Sequence, residues 1–290
     1  MKRIVIWLAG LLLFSANSAH PAGTIEKINS TGTIYLGYQV SSAPFSFLDN
    51  SHPIEYSIDL CNSIVDEIST ELGKPVRVEY RLADPADRFS GLVSGDFDLL
   101  CGTATITPER QERVGFSPTI FVAGAKLLVE QSSKVGNLRD LQGKRIAVTQ
   151  GTTTLTLMRD LVERQRLNIT LVVGNDPNKT VQFLLSGKVD AFVNDDVLLY
   201  GFLANTSMGD KYRIVGDCLS YESYGLAFRK DDYRLSDLIE RVFEKIANSG
   251  EIRRLYEKWF LGPLPSGISL NMPMGAELTE RFRQLALTND

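Results

Sequence analysis

Residues 92–100 (LVSGDFDLL) and residues 184–192 (LLSGKVDAF) carry one frame: Leu, an aliphatic residue, Ser-Gly, two variable positions, then Asp before apolar residues. The frame reads as the last turn of a helix, stopped at Gly, turning into a buried strand. So short an echo can arise by chance, and its surroundings weigh against that. Before the first copy, residues 33–40 (TIYLGYQV) form a β-rich run, and Ile58, Cys61, Ile64, Val65, Ile68 and Leu72 lie on one 3.6-period stripe ended by Gly73-Lys74-Pro75. Val76, Val78, Tyr80 and Leu82 then alternate as in a strand. Before the second copy, the run RIAVT (145–149) leads into Gly151-Thr152-Thr153-Thr154, which opens a helix carrying Leu155, Met158, Leu161 and Val162. The chain starts a βαβ pattern twice, which predicts an α/β protein of two similar units facing each other across a cleft. Residues 235–247 and 252–260 add a helical C-terminal section.

The 290 residues are 43% hydrophobic and 23% charged, the balance of a folded chain. The formal charge of −4, with no Lys/Arg-rich run, argues against nucleic acid as a partner. Three cysteines (Cys61, Cys101, Cys218) without a CxxC pair, and two histidines (His20, His52), offer little for a metal site, and no cofactor is expected. Whether any two of the cysteines are bonded is open at this level. At the N-terminus Lys2-Arg3 precedes an apolar run, IVIWLAGLLLF (4–14), and small residues (15–19), which predicts a signal peptide over residues 1–22 and an exported mature protein. The run is too short to span a bilayer.

In each copy of the frame, the residue five places after the shared Asp falls where a parallel strand would end: Thr103 in the first, Asp195 in the second. Open α/β sheets bind ligands at that edge. Thr103, Thr105 and Thr107 are followed by Pro108-Glu109-Arg110, a strand leaving through hydroxyls into a helix start with Thr107 as N-cap. Arg110 opposes the helix dipole there unless an anion sits beside it; pairing with Glu109 or Glu112 is the plainer reading. Gly151-Thr152-Thr153-Thr154, at the second helix start, offers hydroxyl and N–H donors that can meet the same anion or serve only in capping. Asp195 and Asp196 supply the opposite charge, as a cation site, a helix cap, or one of each. An Arg/Thr anion site opposite an Asp cation site fits a zwitterion, that is, an α-amino acid. Phe45 and Phe47 follow the first strand, as an aromatic wall for the ligand or as packing within their own unit.

The segments SSAPFSFLDN (41–50), CGTATITPERQERVGFSPTIFVAGAKLL (101–128), TQGTTTLTL (149–157), SGKVDAFVNDD (186–196), YGLAFRKDD (224–232) and EKWF (257–260) resemble the extracellular solute-binding proteins of polar amino-acid ABC transporters, bacterial family 3, and above all their glutamate/aspartate-binding branch. The resemblance implies the two-lobed type II periplasmic binding fold, with lobe 1 over 24–124 plus 219–290, lobe 2 over 125–218, and a hinge near 122–125 and 217–223. It implies a monomer that delivers its amino acid to membrane permease subunits. Arg110 resembles the arginine that holds the α-carboxylate, with Thr105 and Thr153 donating to the same group, and Asp195 and Thr103 resemble the groups around the ammonium. Arg88 resembles an arginine aimed at the ligand's side-chain carboxylate. Gln39, Pro85 and Pro177 stand where that branch has arginine, serine and histidine, so glutamate or aspartate is expected with relaxed discrimination against glutamine and asparagine. An enzyme resembling the cyclohexadienyl dehydratases, with a cleft carboxyl such as Glu222 as general acid, is the first alternative. A binding protein that presents its ligand to a signalling partner is the second.

Overall fold

The computed structural model describes residues 23–287, so the expected signal peptide lies outside the described residues. In chain order the elements are α1 (Thr24–Thr31), β1 (Thr33–Tyr38), the hairpin β2 (Phe47–Asp49) and β3 (His52–Ile54), α2 (Tyr56–Leu72), β4 (Arg77–Leu82), α3 (Arg88–Ser94), β5 (Leu99–Thr105), α4 (Pro108–Gln111), β6 (Val114–Phe116) and β7 (Phe121–Glu130). They continue with β8 (Arg145–Thr149), α5 (Thr153–Arg164), β9 (Thr170–Gly174), α6 (Pro177–Leu185), β10 (Ala191–Asp195), α7 (Asp196–Thr206), β11 (Tyr212–Val215), β12 (Tyr221–Arg229), α8 (Tyr233–Asn248), α9 (Glu251–Tyr256) and α10 (Ala276–Leu287).

Two sheets of the same design result. In the first, β4, β1 and β5 are parallel and β12 is antiparallel to β5; in the second, β9, β8 and β10 are parallel and β7 is antiparallel to β10. Strand β7 joins them, pairing with β12 through residues 121–124 and with β10 and β11 from Ala125 onward. Two core clusters serve each lobe. Those of the second gather around Leu127, Ile146, Val148 and Met158 and around Leu128, Ala147, Val181 and Phe192.

The sequence echo has a structural content beyond its turn. Gly95 and Gly187, with φ of 83° and 69°, make the left-handed stop after α3 and α6. The shared Asp then ties each turn to the first strand of its own lobe. Asp98 accepts from the backbone N–H of Tyr35 (3.0 Å) and pairs with Lys27 (2.7 Å), while Asp190 accepts from the N–H of Arg145 (2.9 Å) and pairs with Lys144 (3.1 Å). The same carboxylate thus sets the same register twice, and β5 and β10 deliver Thr103 and Asp195 at the same distance along each strand.

Helix α2 buries Ile58, Cys61, Ile64, Val65 and Ile68 on one stripe, and Cys61 is disulfide-bonded to Cys101 of β5. Cys218 is free. The structure places Phe45 in the core of the first lobe rather than along the cleft. Its ring is fully buried and meets Tyr56, Phe121, Tyr224 and Phe260 edge-on at centroid distances of 5.1–6.1 Å. Burial among four rings outweighs what a cleft wall offers a Phe side chain. Among the described residues no helix is long and apolar enough to cross a membrane.

Candidate functional site

The carboxyl ends of the parallel strands in both lobes face one another, and most of the candidate side chains meet there. Thr107 caps α4 by accepting from the N–H of Arg110, with Pro108 at the first helical position. This turns the Arg110 side chain back along β5, where Nη1 donates to the Thr105 carbonyl (2.9 Å) and Nη2 reaches the Gly151 carbonyl of the other lobe (3.5 Å). Neither Glu109 nor Glu112 pairs with it. Among the described residues Arg110 forms no ion pair, and burial lowers its pKa against the opposing charges of Glu222 and Asp195.

Arg88 opens α3 and is 4% exposed. Its Nε is buried with no partner, and among the described residues its guanidinium has neither an ion pair nor a hydrogen bond; Asp84 and Asp87 do not neutralise it. Burial, reinforced by the charge of Arg110, pushes its pKa down to about 9. The two guanidinium carbons lie 5.2 Å (Arg88) and 4.9 Å (Arg110) from the centroid of one ring, Phe89. Two cations share an aromatic support and hold no counter-anion of their own.

Gln39 is 5% exposed at the end of β1. Its Oε1 accepts from the Thr103 N–H (2.7 Å), the Thr103 hydroxyl (3.3 Å) and the Ser42 hydroxyl (3.2 Å). A backbone N–H only donates, so the amide orientation is set and the acceptor is spent inside the first lobe. What Gln39 has left is its NH2, a donor.

Thr105 and Thr153 are brought together from opposite lobes, with their hydroxyl oxygens 3.4 Å apart. Both donate to Oε2 of Glu222, Thr105 at 2.7 Å, and Ser220 donates to Oε1 (3.2 Å). Thr152, not Thr153, caps α5. Asp195 ends β10, 6% exposed, with Oδ2 taking the phenolic hydrogen of Tyr224 and Oδ1 buried without a partner. Burial and the charge of Glu222 raise its pKa to about 7. Asp196 is the structural member of the acidic pair, accepting from the N–H of Gly124 (3.1 Å) in the crossing strand β7.

Two residues of the site carry little signal in the sequence. Glu222 enters there only as a candidate general acid, and Tyr224 only as the first residue of the segment 224–232, with no role of its own. Their spacing of two in a strand puts both on one face, and only the pairing of β12 between β5 and β7 shows that this face is the floor of the cleft.

The profile of the bacterial extracellular solute-binding proteins, family 3, matches residues 34–262. The chain is 34% identical to the L-glutamate/L-aspartate-binding protein of Pseudomonas aeruginosa, over 93% of this chain and 91% of that one. It is 35% identical to the glutamate/aspartate import solute-binding protein of Escherichia coli K12, over 94% and 92%. Among solved structures, an ancestral amino acid-binding protein described as a precursor of cyclohexadienyl dehydratase superposes with a TM-score of 0.69 at 28% identity, over 82% of this chain and 99% of that one. The paired βαβ lobes, the strand β7 shared by their sheets and the polar cleft between them are therefore those of a known family, and the chain belongs to the bacterial extracellular solute-binding proteins, family 3.

Proposed function

We propose that the protein is the periplasmic capture subunit of an ABC importer and that its solute is an acidic L-amino acid, aspartate or glutamate. The observation that carries this reading is the buried, unpaired Arg88 beside Arg110 over Phe89. A desolvated arginine without an anion is costly, and two of them at one ring suit a ligand with two carboxylates. In this reading Arg110 takes the α-carboxylate, Arg88 the side-chain carboxylate, and the partnerless Oδ1 of Asp195 the ammonium. Gln39 favours the acid over the amide. With Oε1 held by Thr103 and Ser42, it offers the ligand only donors, which a carboxylate accepts and a side-chain amide NH2 does not.

The relatives above are named as solute-binding proteins, and the geometry favours binding over catalysis. Glu222, the acid that an elimination would need, has its oxygens occupied as acceptors of three hydroxyls. The change of partner along β7 at Gly124/Ala125, and the return bond from Leu219 N–H to the Ala125 carbonyl (2.8 Å), support a first lobe of 24–124 plus 219–290 and a second of 125–218. Export through residues 1–22, a monomeric state and delivery to permease subunits complete the proposal.

Calorimetric titration of the mature protein with glutamate, aspartate, glutamine and asparagine tests it. The acids should bind more tightly than the amides, and Arg88→Met should weaken the acids about a hundredfold or more while changing the amides little. Unchanged glutamate affinity in Arg88→Met, or tightest binding by a basic amino acid, would sink the acidic reading and leave the generic amino-acid clamp.

A further inference from the structure

Glu222 stands on β12 opposite Ala123 of β7, the strand that joins the two sheets. Its side chain is 7% exposed. One oxygen, Oε2, accepts the hydroxyl of Thr105 from the first lobe and that of Thr153 from the second, while Ser220 holds Oε1.

We propose that Glu222 is an internal latch of the cleft, a carboxylate on the returning strand that binds one hydroxyl from each lobe and draws the lobes together without help from a solute. Around it the lobes already approach closely. A Cβ on Gly201 of α7 would stand 2.2 Å from the Ala43 carbonyl oxygen, and one on Gly151 would stand 2.7 Å from that of Pro85. Glu222 adds directed bonds to this fit of shape, and hydrogen bonds to a carboxylate are among the stronger ones.

The latch also sets the polarity of the site. A hydroxyl has one hydrogen, and both threonines give theirs to Glu222. What remains on each Oγ1 is its lone pairs, so donation by these threonines to an α-carboxylate, which the family resemblance implies, requires the solute to take both hydrogens from Glu222. Glu222 is thus a positioning residue: it holds and orients Thr105 and Thr153.

The test needs no solute and does not depend on which amino acid the cleft takes, so its failure is separate from failure of the functional reading. Small-angle scattering is recorded on the ligand-free mature protein for wild type, Glu222→Ala, Glu222→Gln and Thr153→Val, with circular dichroism and a thermal melt confirming that each variant is folded. Glu222→Ala and Thr153→Val should have a larger radius of gyration than wild type, each losing about tenfold or more in the closed-to-open ratio. Glu222→Gln should fall between wild type and Glu222→Ala, since its amide oxygen still accepts both hydroxyls but without the carboxylate's charge. Should Glu222→Ala not fold, Thr153→Val decides, because it removes only the second lobe's half of the latch. Folded variants with the wild-type radius, or a Glu222→Gln as expanded as Glu222→Ala, overturn the proposal.

Discussion

Tyr224 donates its phenolic hydrogen to Oδ2 of Asp195 and leaves Oδ1 buried without a partner. The carboxylate is half satisfied by the protein, and in the proposed reading the other half takes the ligand ammonium. Burial and the charges of Glu222 and Asp196 raise the Asp195 pKa to about 7, against the Tyr224 hydrogen bond and the charge of Arg110. Ammonium binding requires the ionised form, so amino-acid affinity should level off above about pH 7 and fall by up to about tenfold per pH unit below it. Titrations at pH 8 and pH 5.5 check this, and equal affinities at the two would remove Asp195 from the ammonium site. For folding the sign is opposite. A carboxyl with a raised pKa stabilises the folded state in acid, fully below its unfolded value and lost as pH rises through about 7.

In the proposed reading the α-carboxylate is held by Arg110, whose guanidinium has as partners among the described residues two carbonyl oxygens and the Phe89 ring. Arg110→Ala should cost roughly 3–5 kcal/mol of binding for any amino acid, a loss of at least about a hundredfold. Calorimetry reads it directly, and a loss under tenfold would place the carboxylate elsewhere.

Glu55 combines two costs. Its backbone, at φ 98° and ψ −173°, lies in a region that only glycine adopts freely, and among the described residues its fully buried carboxyl has no partner for either oxygen. Burial raises its pKa to about 8. Glu55→Gly should therefore stabilise the protein by about 2–4 kcal/mol, seen as a higher melting midpoint. Wild type should lose stability as pH rises from about 4.5 through 8, since the folded state holds a proton that the unfolded chain releases, and Glu55→Gln should flatten that slope. A lower midpoint for Glu55→Gly would show that the carboxyl has a role the geometry conceals.

The Cys61–Cys101 bond closes a loop of sequence separation 40 and ties α2 to the strand that carries Thr103 and Thr105. Its removal in Cys61→Ser/Cys101→Ser should cost about 4 kcal/mol by the loop-entropy estimate, whereas Cys218→Ser should leave the midpoint in place. Denaturant titration of both variants tests the contrast, and equal midpoints would show that the bond is absent from the protein in solution.

What the sequence by itself determined is what short-range rules govern. The stripe of α2, the strands at β1, β4 and β8, the Thr107-Pro108 start of α4 and the repeated Ser-Gly-x-x-Asp turn all follow from periodicity, capping and left-handed glycines, which act over a few residues. The charged and hydroxyl groups bracketing the cleft were legible for the same reason, because strand ends and helix starts place Arg110, Thr153 and Asp195. Tertiary structure alone decided which cysteines join, that Phe45 belongs to the core, that Asp84 and Asp87 leave Arg88 unpaired, that Gln39 keeps only its donors, and that Glu222 and Tyr224 floor the cleft. Each of these turns on which groups distant in sequence come to share a buried space, as Glu222 does with Thr105 and Thr153. Partnership and desolvation there are set by the packing of whole elements, and no local pattern encodes them.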